Sequence, residues 1–137
     1  MIRQLRFLVV DDTEDMRDVM VRMVERAGHV AEVAADGVEA TVALSAHRYD
    51  VMLLDLLMPR MSGEDVVRWL GEHPDRAEGM RIVVVTAWGG ERRGNLQELG
   101  ITTVLAKPFR MQQMTDLIAE ITAEVPADVP AELRAES

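Results

Sequence analysis

Cysteine is absent from this sequence of 137 residues, which excludes disulfide bonds and thiolate metal sites. No apolar run is long enough to span a membrane, and the first residues lack the apolar stretch of a signal peptide. Basic residues are the minority, because 15 Lys and Arg stand against 24 Asp and Glu and leave a net charge of -9. Nucleic-acid binding needs a basic surface, so this charge argues against it. Together, these absences predict a soluble, cytoplasmic chain with no membrane segment and no nucleic-acid partner.

Short runs rich in apolar residues alternate with segments of helical periodicity. The runs cover residues 6–10, 30–34, 51–54, 82–85 and 103–105. The helical segments follow them, at residues 16–27, 38–46 and 63–70, in the stretch that closes at Gly100, and at 111–125. Short, continuous apolar runs are typical of strands buried on both faces of a parallel sheet. Five strands alternating with five helices therefore predict an α/β fold with a doubly wound parallel sheet.

A single domain is predicted for residues 1–125, which are enough for a self-sufficient apolar core. Residues 126–137 hold two prolines and mainly small and acidic residues, without a repeated apolar face. We predict that this segment is a disordered, acidic tail rich in Pro and Ala. No output domain follows the predicted domain in this sequence, so we expect no DNA-binding or enzymatic effector in it.

Polar side chains stand where four of the predicted strands end. They are Asp11 and Asp12 after the first strand, and then Asp55, Thr86 and Lys107. In a parallel sheet these ends share one edge, which is where open α/β sheets bind ligands. Three carboxylates at one place repel each other unless a cation joins them, and an all-oxygen site of this kind suits Mg²⁺.

A cation, a lysine, a hydroxyl and a carboxylate together indicate phosphoryl transfer to Asp55. Lys107 supplies a point charge that can hold a phosphate oxygen, and Thr86 supplies a hydroxyl donor. Each residue also has an ordinary explanation, because Asp11 and Asp12 favour the start of a helix. Thr86 could equally be an ordinary strand residue or a helix cap, and Lys107 could equally be a solvated surface charge. Their coincidence at the ends of four separate strands favours the site.

The motifs around these residues resemble the receiver domains of two-component response regulators, and the similarity covers residues 5–124. The motifs are Asp11-Asp12, Asp55 with Met58-Pro59 and Ser62-Gly63, Thr86-Ala87, and Lys107-Pro108-Phe109. The resemblance implies a flavodoxin-like sheet with the strand order 2-1-3-4-5. It also implies a phosphoprotein of a phosphorelay that is not an enzyme, apart from catalysing its own phosphotransfer and slow autodephosphorylation.

The resemblance also assigns a role to each site residue. Asp55 is expected to accept the phosphoryl group from a sensor histidine kinase or a histidine phosphotransferase, while Thr86 and Lys107 contact that group. The implied cofactor is Mg²⁺, held by Asp11, Asp12, Asp55 and the backbone carbonyl of Leu57. The peptide bond between Lys107 and Pro108 is expected to be cis. The target is an unknown protein on the face of the fourth predicted helix and the fifth strand, and we expect a monomer or weak homodimer.

Some positions depart from the family's usual pattern. Val104 stands where an aromatic side chain usually acts as a switch, and Leu57, two positions after Asp55, stands where a polar residue is frequent. A bulky Trp88 lies two positions after the threonine. We predict that phospho-Asp55 hydrolyses slowly, because Leu57 cannot orient a water molecule and Trp88 can cover its approach. Without a switch aromatic, we expect phosphorylation to shift or order residues 87–99.

Other functions fit parts of the pattern. An aspartyl-phosphate phosphatase commonly has a second aspartate two residues after its nucleophile, whereas Leu57 cannot transfer a proton. A flavin carrier of the same fold cradles a phosphate in its first loop, whereas the acidic segment 11–15 would repel one. A receiver-like interaction module with an atypical or no phosphorylation-dependent switch stays open, because Val104 replaces the aromatic. The histidines lack a kinase-like setting, so another protein is the expected phosphodonor; they are His29, His47 and His73.

Overall fold

In the computed structural model, residues 4–87, 93–101 and 103–124 are described, with only the backbone for residues 93–95. These residues form five strands in one sheet. The strands are β1 (Arg6–Val10), β2 (Val30–Ala34), β3 (Val51–Leu54), β4 (Arg81–Thr86) and β5 (Thr103–Ala106). Neighbouring strands pair in parallel in the order β2-β1-β3-β4-β5. The predicted doubly wound α/β fold and its sheet order are confirmed.

The described residues contain six helices, one more than predicted. They are α1 (Glu14–Arg26), α2 (Gly37–Ala46), α3 (Gly63–Glu72), α4 (Pro74–Ala77), α5 (Arg93–Glu98) and α6 (Met111–Glu124). The prediction of five helices is wrong because the proline that follows α3 begins a further helix of four residues, α4. Proline suits the first turn of a helix, where its missing N–H has no intrahelical partner. The fourth predicted helix is therefore α5 in the structure.

An apolar core lies on each face of the sheet. In β1, Leu8 and Val10 pack into the core covered by α2 and α3, whereas Phe7 and Val9 pack into the core covered by α1 and α6. This division follows from the strand period of two, which sends successive side chains to opposite faces. β3 lies in the middle of the sheet and is buried along its whole length. The most apolar run of the sequence is thus the strand that is covered on both faces.

Local sequence signals determine two of the helix ends. At the start of α3, the Asp65 N–H donates to Ser62 Oγ at 3.2 Å, and the Ser62 N–H donates back to Asp65 Oδ2 at 3.4 Å. This reciprocal pair is a capping box, which satisfies backbone donors that have no partner within the helix. After α1, Gly28 has a φ of 92°, a left-handed conformation that glycine adopts without steric cost.

Several predictions concern parts of the chain outside the described residues. Residues 126–137, the predicted tail, lie outside them, as do Val125 and Trp88. The proposed boundary between the domain and the tail therefore stays a prediction. Among the residues that are described, no helix combines the length and the apolarity needed to cross a membrane.

Candidate functional site

The register of the parallel strands places three carboxylates side by side at the carboxyl edge of the sheet. Val10, the last residue of β1, pairs with Leu54, the last residue of β3. The carboxylates of Asp11, Asp12 and Asp55 follow these two strands, and one oxygen of each lies within 4.8 Å of one oxygen of the others. Asp11 is 0% and Asp55 6% exposed, whereas Asp12 faces solvent. The structure therefore brings together the acidic residues that the sequence places far apart.

Lys107 supplies positive charge to this acidic cluster. Its Nζ lies 2.5 Å from Asp11 Oδ2 and 3.5 Å from Asp55 Oδ2. The lysine follows β5, and its backbone N–H donates to the carbonyl of Thr86 at the end of β4 at 3.0 Å. Among the described residues of the cluster, one positive charge stands against three carboxylates, an excess of two formal negative charges.

The Asp55 carboxyl lies in an environment that opposes its ionisation. Burial raises its pKa above the ordinary value, and the neighbouring Asp11 carboxylate raises it further. The Lys107 ammonium, the backbone N–H of Leu57 and the Thr86 hydroxyl lower this pKa, because they stabilise the ionised carboxylate. A bound cation would supply the positive charge that the cluster lacks. Three carboxylates without nitrogen or sulfur ligands form a donor set that fits Mg²⁺.

Asp11 is held in place by contacts at both its side chain and its backbone. Its Oδ1 accepts a hydrogen bond from the Thr13 N–H at 2.9 Å, and its carbonyl accepts one from Arg17 Nη1 at 2.8 Å. Sequence reasoning missed Arg17, which lies on the polar face of α1. An arginine on such a face is normally solvated, and its contact with Asp11 depends on how α1 lies against the end of β1.

The loop after Asp55 folds closely back over the end of β3. The Gly63 N–H donates to the carbonyl of Leu56 at 3.0 Å. A Cβ atom at Gly63 would lie 2.3 Å from the Asp55 carbonyl oxygen and 2.9 Å from Leu56 Cα. Real side chains do not approach backbone atoms so closely, so glycine is required at the start of α3. The absence of this side chain lets α3 begin directly beside Asp55.

Comparison with known proteins assigns the family. Residues 7–119 match the response regulator receiver domain family. The chain belongs to this family. The receiver domain is 36% identical over 112 residues to response regulator MprA of Mycobacterium ulcerans, over 80% of this chain and 47% of that protein. It therefore spans about half the length of the curated relatives it matches. Its class of function is phosphorelay signal transduction in two-component systems.

Solved structures share the fold of this receiver domain. The chemotaxis response regulator CheY4 of Vibrio cholerae has a TM-score of 0.79 at 27% identity, over 86% of this chain and 98% of that chain. Response regulator TrrA of Thermotoga maritima was solved in complex with Mg²⁺ and BeF. Its TM-score is 0.74 at 24% identity, over 86% of this chain and 99% of that chain. This second likeness shows the fold alone.

The remaining predicted residues of the receiver domain occupy different environments. Leu57 is 40% exposed, and Val104 is half-buried and packs against the core covered by α2 and α3. The peptide bond between Lys107 and Pro108 is cis, as expected. Trp88 lies outside the described residues. Its role and that of the Leu57 carbonyl as a metal ligand stay predictions.

Proposed function

We propose that this receiver domain accepts a phosphoryl group on Asp55 and that its cofactor is Mg²⁺. The proposed metal ligands are Asp11, Asp12, Asp55 and the carbonyl of Leu57. The main support is the buried Asp55 carboxylate, which lies within 4.8 Å of two others and 3.5 Å from an ammonium group. A carboxylate so placed is poorly stabilised by water but well placed to act as a nucleophile beside a cation. The proposed donor is a sensor histidine kinase or a histidine phosphotransferase.

The reaction forms an acyl phosphate on the aspartate. A carboxylate oxygen of Asp55 forms a bond to phosphorus as the bond from phosphorus to the donor's histidine nitrogen breaks. Bound Mg²⁺ supplies positive charge that offsets the charge of the phosphoryl oxygens. Lys107, 2.5 Å from an Asp11 oxygen in the structure, can pair with a phosphoryl oxygen. The Thr86 hydroxyl, which hydrogen-bonds Asp55, can donate to another.

Phosphorylation by a small-molecule donor tests the assignment of Asp55. Wild type and Asp55→Ala are incubated with acetyl phosphate and Mg²⁺, and the intact mass of each protein is measured. We expect the wild type to gain one phosphoryl group and Asp55→Ala to gain none. Asp116→Ala is the matched control, because Asp116 is an exposed aspartate on α6 and its removal leaves the site intact. A phosphoryl mass on Asp55→Ala would show that another residue is the acceptor.

A receiver-like interaction module with an atypical switch, or none, is the second candidate. The observation that favours it is Val104, an aliphatic residue that is already packed against the core.

We propose that the partner-binding face is formed by α5 and β5, and that phosphorylation shifts or orders residues 87–99. Hydrogen exchange with and without beryllofluoride measures this change. Unchanged protection in this segment, in protein that binds beryllofluoride, would favour the module without a switch.

Further properties follow from the same proposal. The receiver domain is proposed to act through protein partners and not through nucleic acid or a membrane, which the net charge of -9 supports. We propose a cytoplasmic monomer or weak homodimer that catalyses only its own phosphotransfer and slow autodephosphorylation. The domain is proposed to comprise residues 1–125, with residues 126–137 as a tail.

A further inference from the structure

An ion pair joins the loop after Asp55 to the start of α2. Arg60 lies in this loop, and its Nε donates to Asp36 Oδ2 at 2.8 Å, while its Nη2 contacts the same oxygen. The other oxygen of Asp36 accepts the Glu39 N–H at 2.9 Å and so caps α2. The side chain of Asp36 is 6% exposed, whereas that of Arg60 is 61% exposed. One buried carboxylate therefore holds both a helix end and a loop from another part of the chain.

Arg60 makes this contact from an unfavourable backbone conformation. Its φ of 66° lies in the left-handed region, and no other non-glycine residue in the described part of the chain has a positive φ. A side chain at such a position is disfavoured relative to glycine, because its Cβ approaches the following carbonyl. An arginine is present here although glycine would fit the backbone better. The contact of its side chain with Asp36 is the compensating interaction that the structure shows.

The same loop also touches α2 through its backbone. A Cβ atom at Gly37, the first residue of α2, would lie 2.5 Å from the carbonyl oxygen of Met61. The loop closes on itself through the Met61 N–H, which donates to the Pro59 carbonyl at 2.7 Å. The segment 56–62 is thus held at its end by α3 and at its middle by α2. Leu57 lies within it.

Leu57 connects this loop to the acidic cluster. Its N–H hydrogen-bonds the Asp55 carboxylate, and its carbonyl is the backbone ligand in the proposed Mg²⁺ site. We infer that Arg60 and Asp36 are positioning residues that hold segment 56–62 against α2 and so preorganise the backbone of Leu57 for Mg²⁺ binding. This inference rests on the proposed function, since it requires Mg²⁺ to bind at the carboxylates. Loss of residues that orient metal ligands commonly weakens metal binding by about 10- to 100-fold.

Two substitutions separate this positioning role from a general effect on stability. Arg60→Gly removes the ion pair, but glycine adopts the positive φ without steric cost. The metal affinity of this variant should therefore fall, whereas its free energy of unfolding should not. Asp36→Asn keeps an oxygen for the Glu39 N–H but removes the charge that binds Arg60. Mg²⁺ affinity is measured by calorimetric titration without phosphate, and urea unfolding is measured in EDTA. We expect each variant to bind Mg²⁺ about tenfold more weakly than wild type.

The double variant and the controls sharpen the test. Because both substitutions break one interaction, Arg60→Gly with Asp36→Asn should bind Mg²⁺ no more weakly than either single variant. Arg60→Lys should restore part of the affinity. Arg68→Ala is the matched control, because Arg68 is 57% exposed, close to the 61% of Arg60, and forms an ion pair with Asp65 at 3.1 Å on α3. This variant should bind Mg²⁺ like wild type.

The outcomes distinguish this inference from the proposed function. If wild type does not bind Mg²⁺, or if Asp12→Ala with Asp55→Ala still binds it, the proposed site is wrong and the inference fails with it. If wild type binds Mg²⁺ at the carboxylates but Arg60→Gly has the same affinity, only the inference is overturned. Additive losses in the double variant, or an equal loss in Arg68→Ala, would also overturn it. Arg60→Gly alone decides the question if Asp36→Asn does not fold.

Discussion

The two edges of the sheet differ in how their polar groups are satisfied. At the amino edge, Asp50 Oδ2 accepts the Arg6 N–H at 2.8 Å, and His29 Nδ1 accepts the Leu5 N–H at 3.0 Å. The other ring nitrogen of His29 lies 3.0 Å from Thr122 Oγ1, so both sides of the imidazole have partners. At the carboxyl edge, the part of the chain that the structure describes brings three carboxylates to one ammonium group, an excess of two formal negative charges.

This difference separates a stabilising end of the domain from a reactive end. Buried polar groups contribute to stability when each has a hydrogen-bond partner, as at the amino edge. Buried like charges reduce stability, and proteins retain them at sites where a ligand or reaction uses them. The apolar cores on both faces of β3 offset the loss of stability that this repulsion causes at the carboxyl edge. Substitutions that remove a polar group should therefore raise the free energy of unfolding at the carboxyl edge and lower it at the amino edge.

The largest expected effect is that of Asp55→Asn. This variant should gain no phosphoryl group from acetyl phosphate, because the amide is not a nucleophile. In EDTA, its free energy of unfolding should be higher than that of wild type, since burial and Asp11 both raise the pKa of the Asp55 carboxyl and so disfavour its charge. Intact mass and urea denaturation measure the two effects. A lower stability in EDTA would contradict the idea that this edge carries net repulsion.

At the amino edge, Asp50→Ala should have the opposite effect on stability. It removes the acceptor of the Arg6 N–H, and an unpaired, partly buried donor costs about 1–3 kcal/mol. Phosphorylation by acetyl phosphate should be unchanged in the protein that remains folded. Asp75→Ala is the control, because the Asp75 side chain is 64% exposed in its pair with Arg76 and its loss should change stability by less than about 0.5 kcal/mol. Equal losses of stability in Asp50→Ala and Asp75→Ala would show that the hydrogen bond of Asp50 does not stabilise the amino edge.

The amino edge should also make stability depend on pH through His29. Burial lowers the pKa of His29 below its ordinary value of 6.5. The unfolded chain therefore binds a proton on His29 at a higher pH than the folded domain does. The contribution of His29 to the free energy of unfolding is complete above the ordinary pKa and is lost as the pH falls below that value. Asn at this position keeps an acceptor for the Leu5 N–H but does not titrate. When urea denaturation is measured from pH 8 to 5, the free energy of unfolding should fall more steeply in wild type than in His29→Asn. Parallel falls in the two proteins would argue against a role of His29 in this pH dependence.

The smallest expected effect concerns the lifetime of phospho-Asp55. Leu57 is 40% exposed beside the acidic cluster and has no group that can orient a water molecule. Leu57→Asn should lose its phosphoryl group severalfold faster than wild type, because the amide can hydrogen-bond the attacking water. Leu57→Met is the matched apolar control and should decay like wild type. Identical decay in all three proteins would show that this side chain does not control hydrolysis.

Much of the architecture could be predicted from local patterns. The apolar run 51–54 indicates a strand covered on both faces, and Ser62 followed by Asp65 indicates a helix start. Such signals are local because strand periodicity and helix capping involve residues at most a few positions apart. The short helix α4 escaped prediction because the same proline that ends one helix can begin another.

The sequence by itself determined the order of the five strands and of the helices other than α4, the family, and the set of acidic residues at the strand ends. Only the tertiary structure decided which distant side chains meet. The ion pair of Arg60 with Asp36 joins residues 24 positions apart, and the contact of His29 with Thr122 joins residues 93 positions apart. No local pattern encodes such pairs, because the distance between two loops depends on how the intervening strands and helices pack. Sheet register places Asp11 beside Asp55 for the same reason.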